Sequence, residues 1–272
     1  MKADCLDRLP GFQMATASIE YVRHVSTTGS AGSVAEGAAK PEVTLVVDKL
    51  VATAVKLATH LALSREIYAD WDSFSQYALQ ELQRQVIDVE NLQLLTGDGT
   101  GTNMTGFYNT SGILTHDCTA DAAPETAWDS IEKAIAQLRS GPALSEPDLA
   151  IFHPDDWSHI RRIKDGYQRY LVAPDPSSDQ VNTAWGIDVL TTVQNPIGKG
   201  LLIDTTKFGR VAVRELISMF MGFANDDLIR NLLRWVAETR LVLTVERPSA
   251  VLQITNLPTP TTATAAKSTA RK

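Results

Sequence analysis

Hydrophobic residues recur with helical spacing over one long segment in the first half of the chain. Ser73 and Gln76 form a capping-box pattern, in which each side chain satisfies a backbone donor at the start of a helix. Gly97 ends the pattern. The spacing predicts a helix over residues 73–96, about 35 Å long at ~1.5 Å per residue. The apolar positions follow at steps of three and four, as on one helix face: Phe74, Ala78, Leu82, Val86, Val89 and Leu92.

Alternating apolar and polar positions predict strands on both sides of a polar break. Residues 19–25 have strand character, and residues 26–33 are rich in Ser, Thr and Gly. Past Pro41 the alternation runs from Val43 to Leu63, which predicts one strand of about 20 residues, roughly 65 Å long. Ordinary strands have about 5–6 residues. Two long strands around a mobile tip indicate a β-arm that extends away from the body.

The second half of the chain mixes helical and strand patterns. Thr126 and Asp129 predict a capped helix that Gly141 ends, and Pro154 opens another helix with two acids in its first turn. Short apolar runs predict strands at residues 149–152, 189–190, 201–203, 211–213, 235–245 and 251–254.

The two ends of the chain lack periodic patterns. Residues 1–18 show no sustained period and are expected to form an extended arm. Beyond Pro258 the chain consists mostly of Thr, Ala and Pro, with three cations and no acid, which is typical of a disordered basic tail.

Composition indicates a folded globular chain and excludes several functions. The 272 residues are 44% hydrophobic and 21% charged, which excludes collagen, a coiled-coil rod and wholesale disorder. The net charge of −7 disfavours sequence-specific DNA binding, because phosphate-binding surfaces are usually basic. Cys5 and Cys118 form neither a CxxC motif nor a Cys/His cluster, so we expect no disulfide scaffold and no structural zinc.

Targeting and membrane signals are also missing from the sequence. The first residues contain no apolar run of the kind found in secretion signals, and no stretch approaches the ~20 apolar residues of a membrane span. We therefore expect a soluble chain made in the cytoplasm, with no metal and no cofactor.

Motifs alone predict no ordinary active site. Residues 97–101, Gly-Asp-Gly-Thr-Gly, follow a helix and lack a Gly-Lys-Ser/Thr sequence, which favours a turn over a phosphate-binding loop. His153 and His159 have two acids between them but match no zinc pattern. The chain also lacks the Gly-x-Ser-x-Gly elbow of serine hydrolases.

Several short motifs, each weak alone, occur in a recognisable order. They are Glu-Gly-Ala-Ala-Lys-Pro-Glu at residues 36–42, Leu-Ser-Arg-Glu at 63–66, Leu-Leu-Thr-Gly-Asp-Gly-Thr-Gly at 94–101, Phe-His-Pro-Asp-Asp-Trp at 152–157, Trp-Gly-Ile-Asp-Val at 185–189, Arg-Leu at 240–241 and Arg-Pro-Ser-Ala at 247–250. From about Ile19 to Ile254, this order resembles the tailed-bacteriophage major capsid proteins of the Hong Kong 97 type.

The resemblance implies an α+β fold of the Hong Kong 97 capsid type. Its parts are an N-terminal arm, an extended β-hairpin loop, a peripheral domain with a long spine helix, and an axial domain. In this chain they are expected at residues 1–18 for the arm, 19–54 for the extended loop, 55–125 for the peripheral domain with its spine helix at 73–96, 126–223 for the axial domain, 224–258 for the return to the peripheral domain, and 259–272 for the disordered basic tail.

The resemblance also implies a structural role. Such proteins assemble as pentamers and hexamers into an icosahedral shell that encloses double-stranded DNA, which they hold without sequence-specific binding. The implied partners are further copies of the chain, a scaffolding protein, a portal and decoration proteins, in a virion assembled in the host bacterial cytoplasm. Many members carry an N-terminal scaffolding segment that is removed. This chain begins about where a mature subunit would, so we expect that segment to be missing or replaced by a separate scaffold protein.

Some family members join neighbouring subunits by an isopeptide bond between a lysine and an asparagine, helped by a glutamate. The matching residues are Lys40, Asn231 and Glu238. A lysine amine, with a reference pKa of about 10.4, must lose its proton in a desolvated site before it can attack the amide carbon. Asn231 and Glu238 would face opposite sides of a regular strand, unless Asn231 lies in a loop or the glutamate serves a neighbouring subunit.

Other interpretations of these residues and of the chain remain open. Lys40 is equally typical of a solvated lysine, Asn231 of a turn, and Glu238 of an ion pair with Arg240 or Arg247. A bacterial encapsulin nanocompartment would share the fold and also form shells, with cargo proteins as partners. A small enzyme that uses the glycine-rich loop and His153 is the alternative from a different class.

Overall fold

A computed structural model describes residues 5–121 except 71, residues 126–164, 167, 169–170 and residues 182–258. The expected basic tail, residues 259–272, lies outside this part. The strands, in chain order, are β1 (Gly11–Gln13), β2 (Ser18–Thr28), β3 (Thr44–Thr53), β4 (Val55–Ser64), β5 (Leu114–Asp117), β6 (Leu149–Phe152), β7 (Thr183–Ala184), β8 (Ile187–Thr191), β9 (Gly200–Ile203), β10 (Gly209–Gly222), β11 (Leu232–Val245) and β12 (Val251–Thr255).

In the described part of the chain, the helices are fewer than the strands. The α-helices are α1 (Arg65–Asp70), α2 (Asp72–Thr96), α3 (Ala127–Ser140) and α4 (Pro154–Arg161), and the short 3-10 helices are Leu6–Arg8, Phe107–Asn109, Cys118–Ala120 and Pro248–Ala250. Among the residues that the structure describes, no helix has the length and apolar character needed to span a membrane.

The chain divides into two compact units. The first contains Met1–Ile19, Ala52–Asn109 and Arg210–Thr244, and the second contains Glu20–Val51, Thr110–Gly209 and Val245–Lys272, as far as these residues are described. The predicted domain boundaries differ from these. The axial segment is expected to run to residue 223, but Arg210–Thr244 belongs to the first unit, because β10 and β11 are strands of that unit's sheet.

The first unit consists of a four-stranded sheet in the order β1-β10-β11-β4 and the long helix α2. Strand β11 pairs antiparallel with β4, from Leu232 opposite Ser64 to Leu241 opposite Val55. Leu82 and Val86 of α2 form a buried cluster with Ala237 of β11. The odd-numbered residues of β4 and β11 thus supply the side chains that face the helix, as the period of two requires.

The buried face of α2 differs from the predicted one near its end. Ala78, Leu82 and Val86 are buried as expected, but Phe74, Val89 and Leu92 are exposed, and Glu90, Asn91, Leu94 and Leu95 are buried instead. Steps of four residues rotate the buried stripe around a helix of 3.6 residues per turn. The burial of Asn91 is compensated by a hydrogen bond that its side-chain oxygen accepts from the Cys5 N–H at 2.9 Å. The side chain of Ser73, the predicted cap, lies outside the described residues.

The first residues described, part of the expected extended arm at residues 1–18, pair with the sheet of the first unit. Strand β1 pairs in parallel with β10, with Gly11 opposite Val211. Cys5, Leu9 and Met14 are buried. Three apolar side chains spaced over ten residues are enough to fix this segment to the sheet, although they produce no regular period.

The predicted strand over residues 43–63 is two strands that belong to different sheets. Strand β3 pairs with β2, whereas β4 pairs with β11. The change occurs at Ala54, whose N–H donates to the Ala17 carbonyl at 2.9 Å. Because the side chains on both strands keep the same alternation, the sequence pattern does not reveal the change of partner.

The second unit contains a six-stranded sheet in the order β5-β12-β9-β6-β8-β7. Strand β6 is buried along its whole length between β8, which is parallel to it, and β9, which is antiparallel. The predicted helix after residue 126 is present as α3, and Asp129 Oδ2 accepts from the Thr126 N–H at 2.7 Å, as a capping box requires. Ile131 and Ile135 of α3 pack into this unit's core with Phe152.

The buried face of α2 yields a stability prediction with a matched control. Leu82 is 5% exposed and Leu92 is 40% exposed on the same helix. We expect Leu82→Ala to lower the free energy of unfolding of the unassembled subunit by ~2–5 kcal/mol, since it leaves a cavity. Leu92→Ala should cost less than about 1 kcal/mol. Chemical denaturation of both variants measures the difference, and equal losses would show that the buried face is misplaced.

Candidate assembly surfaces and cross-linking residues

Strands β2 and β3 form a two-stranded sheet, called here the ribbon, whose apolar side chains are largely uncovered. Leu45, Val47 and Val51 share one face of β3, and Val51 is 62% exposed. Charged pairs join the two strands: Arg23 with Asp48 at 3.1 Å and Lys49 with Glu20 at 2.5 Å. The exposed apolar residues of the ribbon and its tip include Val22, Val25, Val34, Val43, Leu45, Val46, Val47 and Val51.

The ribbon ends in a tip formed by residues 29–43, in which Lys40 lies exposed on non-strand backbone. Gly29 has a φ of +96°, and a Cβ at this position would collide with the Glu42 carbonyl oxygen. The two sides of the tip therefore approach closely only because residue 29 is glycine. Lys40 belongs to the second unit.

Asn231 lies in the turn before β11 and not in the strand itself. Its φ of +52° is in the left-handed region, which asparagine tolerates better than most residues. Its carbonyl accepts from the Arg65 N–H at 2.8 Å, and its side-chain Nδ2 donates to Glu66 Oε1 at 3.4 Å. The turn thus fixes the backbone of Asn231 and places its amide beside a carboxylate.

Asp227 stabilises the same turn through hydrogen bonds of its side chain and main chain. It is buried, and its carboxylate accepts from the Ala224 N–H at 2.8 Å and from Arg234 Nε at 2.5 Å. The hydrogen bond from the Arg234 guanidinium holds the pKa of Asp227 below its usual value. The Leu232 N–H also donates to the Asp227 carbonyl, so both the main chain and the side chain of Asp227 hold the turn that carries Asn231.

Glu238 forms an ion pair with Lys56, with 2.5 Å between Oε1 and Nζ. The sequence suggested an ion pair between Glu238 and Arg240 or Arg247, and this prediction is wrong because the ion pair observed is with Lys56. Glu238 lies opposite Ala58 on β4, so Lys56 is two residues along the neighbouring strand and on the same face. Only the strand register, which the sequence does not reveal, identifies this lysine.

The structure does not bring the three predicted cross-linking residues together within one unit. Asn231 and Glu238 belong to the first unit and Lys40 to the second. The separation of seven positions between Asn231 and Glu238 corresponds to about 24 Å along the strand. The carboxylate that lies beside Asn231 is that of Glu66. The sequence did not reveal this contact, although Glu66 ends the Leu-Ser-Arg-Glu motif at residues 63–66.

The glycine-rich loop after α2 has the geometry of a turn, as the sequence favoured. Its amides bond within the loop: the Gly99 N–H donates to the Met104 carbonyl at 3.0 Å. Hydrogen bonds from the Thr100 hydroxyl, the Thr100 N–H and Asn103 hold the pKa of Asp98 at about 2. These contacts engage the Gly99 and Thr100 amides and the Thr100 hydroxyl, which favours a turn over a phosphate-binding loop.

His153 caps α4, and the acids that follow lie in its first turn, as predicted. His153 Nδ1 accepts from the Asp155 N–H at 3.2 Å. Asp156 is buried, and it accepts from the Gly198 N–H at 2.7 Å. Burial raises the pKa of Asp156. Within the described part of the chain, no three His, Cys, Asp or Glu side chains are grouped to hold a metal ion.

Solved shell proteins share this architecture. The capsid of the empty GTA particle matches with a TM-score of 0.71 at 15% identity, over 95% of this chain and 91% of that chain. The major capsid and decoration protein structure of phage G matches with a TM-score of 0.73 at 8% identity, over 94% and 90%. A virus-like particle from Pyrococcus furiosus matches with a TM-score of 0.64 at 12% identity, over 93% and 92%. The chain therefore has the Hong Kong 97-type capsid fold.

The sequence matches a family as well as a fold. The model of the phage capsid family matches residues 8–255, and the chain belongs to that family. It is 28% identical over 248 residues to the major capsid protein of Enterobacteria phage HK97. The match covers 91% of this chain, and the chain spans 63% of the length of that relative.

The turn before β11 gives a pH prediction. Because the hydrogen bond from Arg234 holds the folded-state pKa of Asp227 below the ordinary value of about 3.9, the contribution of Asp227 to stability is present above pH ~3.9 and is lost as pH falls through the folded pKa. We expect Asp227→Asn to lower the melting temperature at pH 7, and the difference from the parent to shrink as pH falls below about 4.

The neighbouring acid is the control for this prediction. Asp226 is exposed and lies 3.9 Å from Arg230, so Asp226→Asn should change the melting temperature little. Calorimetry from pH 7 to pH 2 measures all three proteins. If the two variants melted alike at every pH, the turn would not depend on Asp227.

Proposed function

We propose that this chain is a major capsid protein that assembles, as pentamers and hexamers, into the icosahedral shell of a tailed bacteriophage. The observation that carries the proposal is the ribbon, whose apolar side chains are exposed on a two-stranded sheet. An isolated two-stranded sheet is at best marginally stable in water. Burial on a partner would stabilise it by about 25 cal/mol for each Å² of apolar surface covered.

A second copy of the chain is the partner that family membership favours. Shells are built from many identical subunits related by rotation, and each copy can cover its neighbour's exposed surface until the shell closes. We assign unit 1 to the peripheral domain, the six-stranded part of unit 2 to the axial domain, and the ribbon to the extended loop. These assignments follow the Hong Kong 97-type fold and the two-unit division of the chain.

We further propose that the shell encloses double-stranded DNA without sequence-specific contacts. The net charge of −7 supports this, since an acidic wall does not attract phosphates strongly. A scaffolding protein, a portal and decoration proteins are the proposed partners, in a capsid assembled in the host bacterial cytoplasm. The phage G structure combines major capsid proteins with decoration proteins, which supports the last kind of partner.

An encapsulin-type compartment is the alternative within the same fold. The fold is common to both kinds of shell, but the match to the phage capsid family favours the phage shell. The contents of purified particles separate the two, because a phage shell would contain DNA and a compartment would contain cargo protein. The enzyme alternative has little support, since the amides of the glycine-rich loop and His153 are engaged in local structure.

We also propose that shells become covalently joined through Lys40 of one subunit and Asn231 of another. This proposal is supported by the exposure of both residues, Lys40 in the tip and Asn231 in the turn before β11. The family resemblance assigns the assisting carboxylate to Glu238. Within one subunit the strand separates Glu238 from Asn231, so on the family pattern only Glu238 of a neighbouring subunit could take this role.

Charged substitutions on the ribbon should prevent assembly without unfolding the subunit. Leu45 and Val51 are exposed in the single chain, so the double variant Leu45→Glu/Val51→Glu should keep the parent's unfolding free energy within about 0.5 kcal/mol. Burying two carboxylates in a subunit contact is unfavourable, and shell yield should fall at least about tenfold. Electron microscopy and sedimentation measure the yield.

The matched control for this variant keeps the apolar character of the ribbon. Leu45→Met/Val51→Ile should assemble like the parent. Parental shell yield from the glutamate variant would contradict the role of the ribbon in assembly.

Cross-linked shells should give a ladder of multimers on a denaturing gel after boiling in detergent and reductant. Lys40→Arg keeps the charge but removes the primary amine that attacks, and Asn231→Asp removes the amide that is attacked. We expect each variant to form shells and to run as a monomer. If mature parent shells ran as a single band at the monomer mass, the cross-link would be excluded.

A further inference from the structure

A carboxylate lies against the amide nitrogen of Asn231, and it is not the one that the family resemblance indicates. Asn231 Nδ2 donates a hydrogen bond to Glu66 Oε1, with 3.4 Å between the two atoms. When an isopeptide bond forms at Asn231, the Nδ2 atom leaves as ammonia. Glu66 therefore contacts the leaving group of the proposed reaction.

Backbone pairing holds these two residues side by side. The Arg65 N–H donates to the Asn231 carbonyl at 2.8 Å, and Leu232 lies opposite Ser64 in the β4–β11 register. The Ile67 N–H donates to Ser64 Oγ at 3.2 Å, which fixes the turn from β4 into α1 around Glu66. The pairing of β4 with β11 thus keeps the backbones of Glu66 and Asn231 adjacent, within reach of the contact between their side chains.

Glu238 is poorly placed for the same task. It lies about 24 Å along the strand from Asn231 in its own subunit. Its carboxylate is also engaged by Lys56 at 2.5 Å, and its side chain is 18% exposed. Glu238 of a neighbouring subunit would have to give up this ion pair before it could act at Asn231.

We propose that Glu66 transfers the proton in cross-linking at Asn231; this inference rests on the proposed lysine–asparagine bond. The attacking lysine, after losing one proton to solvent, forms a bond from Nζ to Cγ of Asn231. Glu66 accepts a proton from this nitrogen and donates one to Nδ2. The Cγ–Nδ2 bond then breaks, and ammonia leaves. The carboxylate is regenerated, so one amine and one primary amide give one secondary amide and one ammonia, with no other reactant.

The test compares the rate of ladder formation in shells of the parent and of Glu66→Gln. Glutamine keeps an oxygen that accepts the hydrogen bond from Nδ2, so it preserves the position of Asn231 but transfers no proton. Since general acid–base catalysis contributes about 10²–10⁴-fold, we expect the rate per shell to fall at least about 100-fold. Electron microscopy provides the number of shells in each sample.

Asp70→Asn is the matched control. Asp70 is an exposed acid at the other end of α1, one helical turn from Glu66, and the variant should cross-link at the parental rate. If Glu66→Gln reduces shell formation, Glu66→Asp is the second variant. It retains a carboxylate one methylene farther from Nδ2, and it should cross-link measurably but more slowly than the parent.

The outcomes distinguish the role of Glu66 from the two proposals on which it rests, the lysine–asparagine cross-link and the assembly of the shell. Parental rates in Glu66→Gln shells, or in Glu66→Asp shells where the glutamine variant does not assemble, would overturn the role of Glu66 while the cross-link stands. Parent shells without any ladder would overturn the cross-link and, with it, the role of Glu66, but not the assembly of the shell.

Discussion

The exposure of apolar side chains on the ribbon is the constraint on which the rest of the account depends. A two-stranded sheet has no second layer, so the side chains on its faces remain in water unless another surface covers them. Charged pairs such as Arg23 with Asp48 stabilise the ribbon across its strands but leave Leu45 and Val51 uncovered. Under the proposed function, further copies of the chain would cover these side chains.

Each unit has a hydrophobic core of its own, and among the described residues neither core includes side chains of the ribbon. The ribbon is therefore available for contacts with partners. In the first unit, Leu82 and Val86 of α2 pack on the four-stranded sheet, and in the second, α3 packs on β12 and its neighbours. The turn that carries Asn231 is likewise determined locally, by Asp227 and Arg234. A proposed reactive residue thus occupies a fixed position before any partner arrives, and this favours reaction between oriented groups.

Local signals in the sequence predicted much of the fold, and long-range pairing accounts for the rest. The capping pair Thr126 and Asp129 and the apolar run at residues 149–152 each act within a few residues, so their elements could be predicted. The change of strand partner at Ala54 depends on a contact with Ala17, far away in sequence. For the same reason Lys56 could not be identified as the partner of Glu238, nor Glu66 as the neighbour of Asn231.

Hydrogen–deuterium exchange of the ribbon in free subunits and in assembled shells tests the central claim most directly. If another copy covers the ribbon, the amides of residues 44–53 should exchange rapidly in the free subunit and much more slowly in the shell. Amides of the buried strand β6, at residues 149–152, should be protected in both states and serve as the internal reference. Equal exchange of residues 44–53 in the two states would contradict the claim that subunit contacts bury the ribbon.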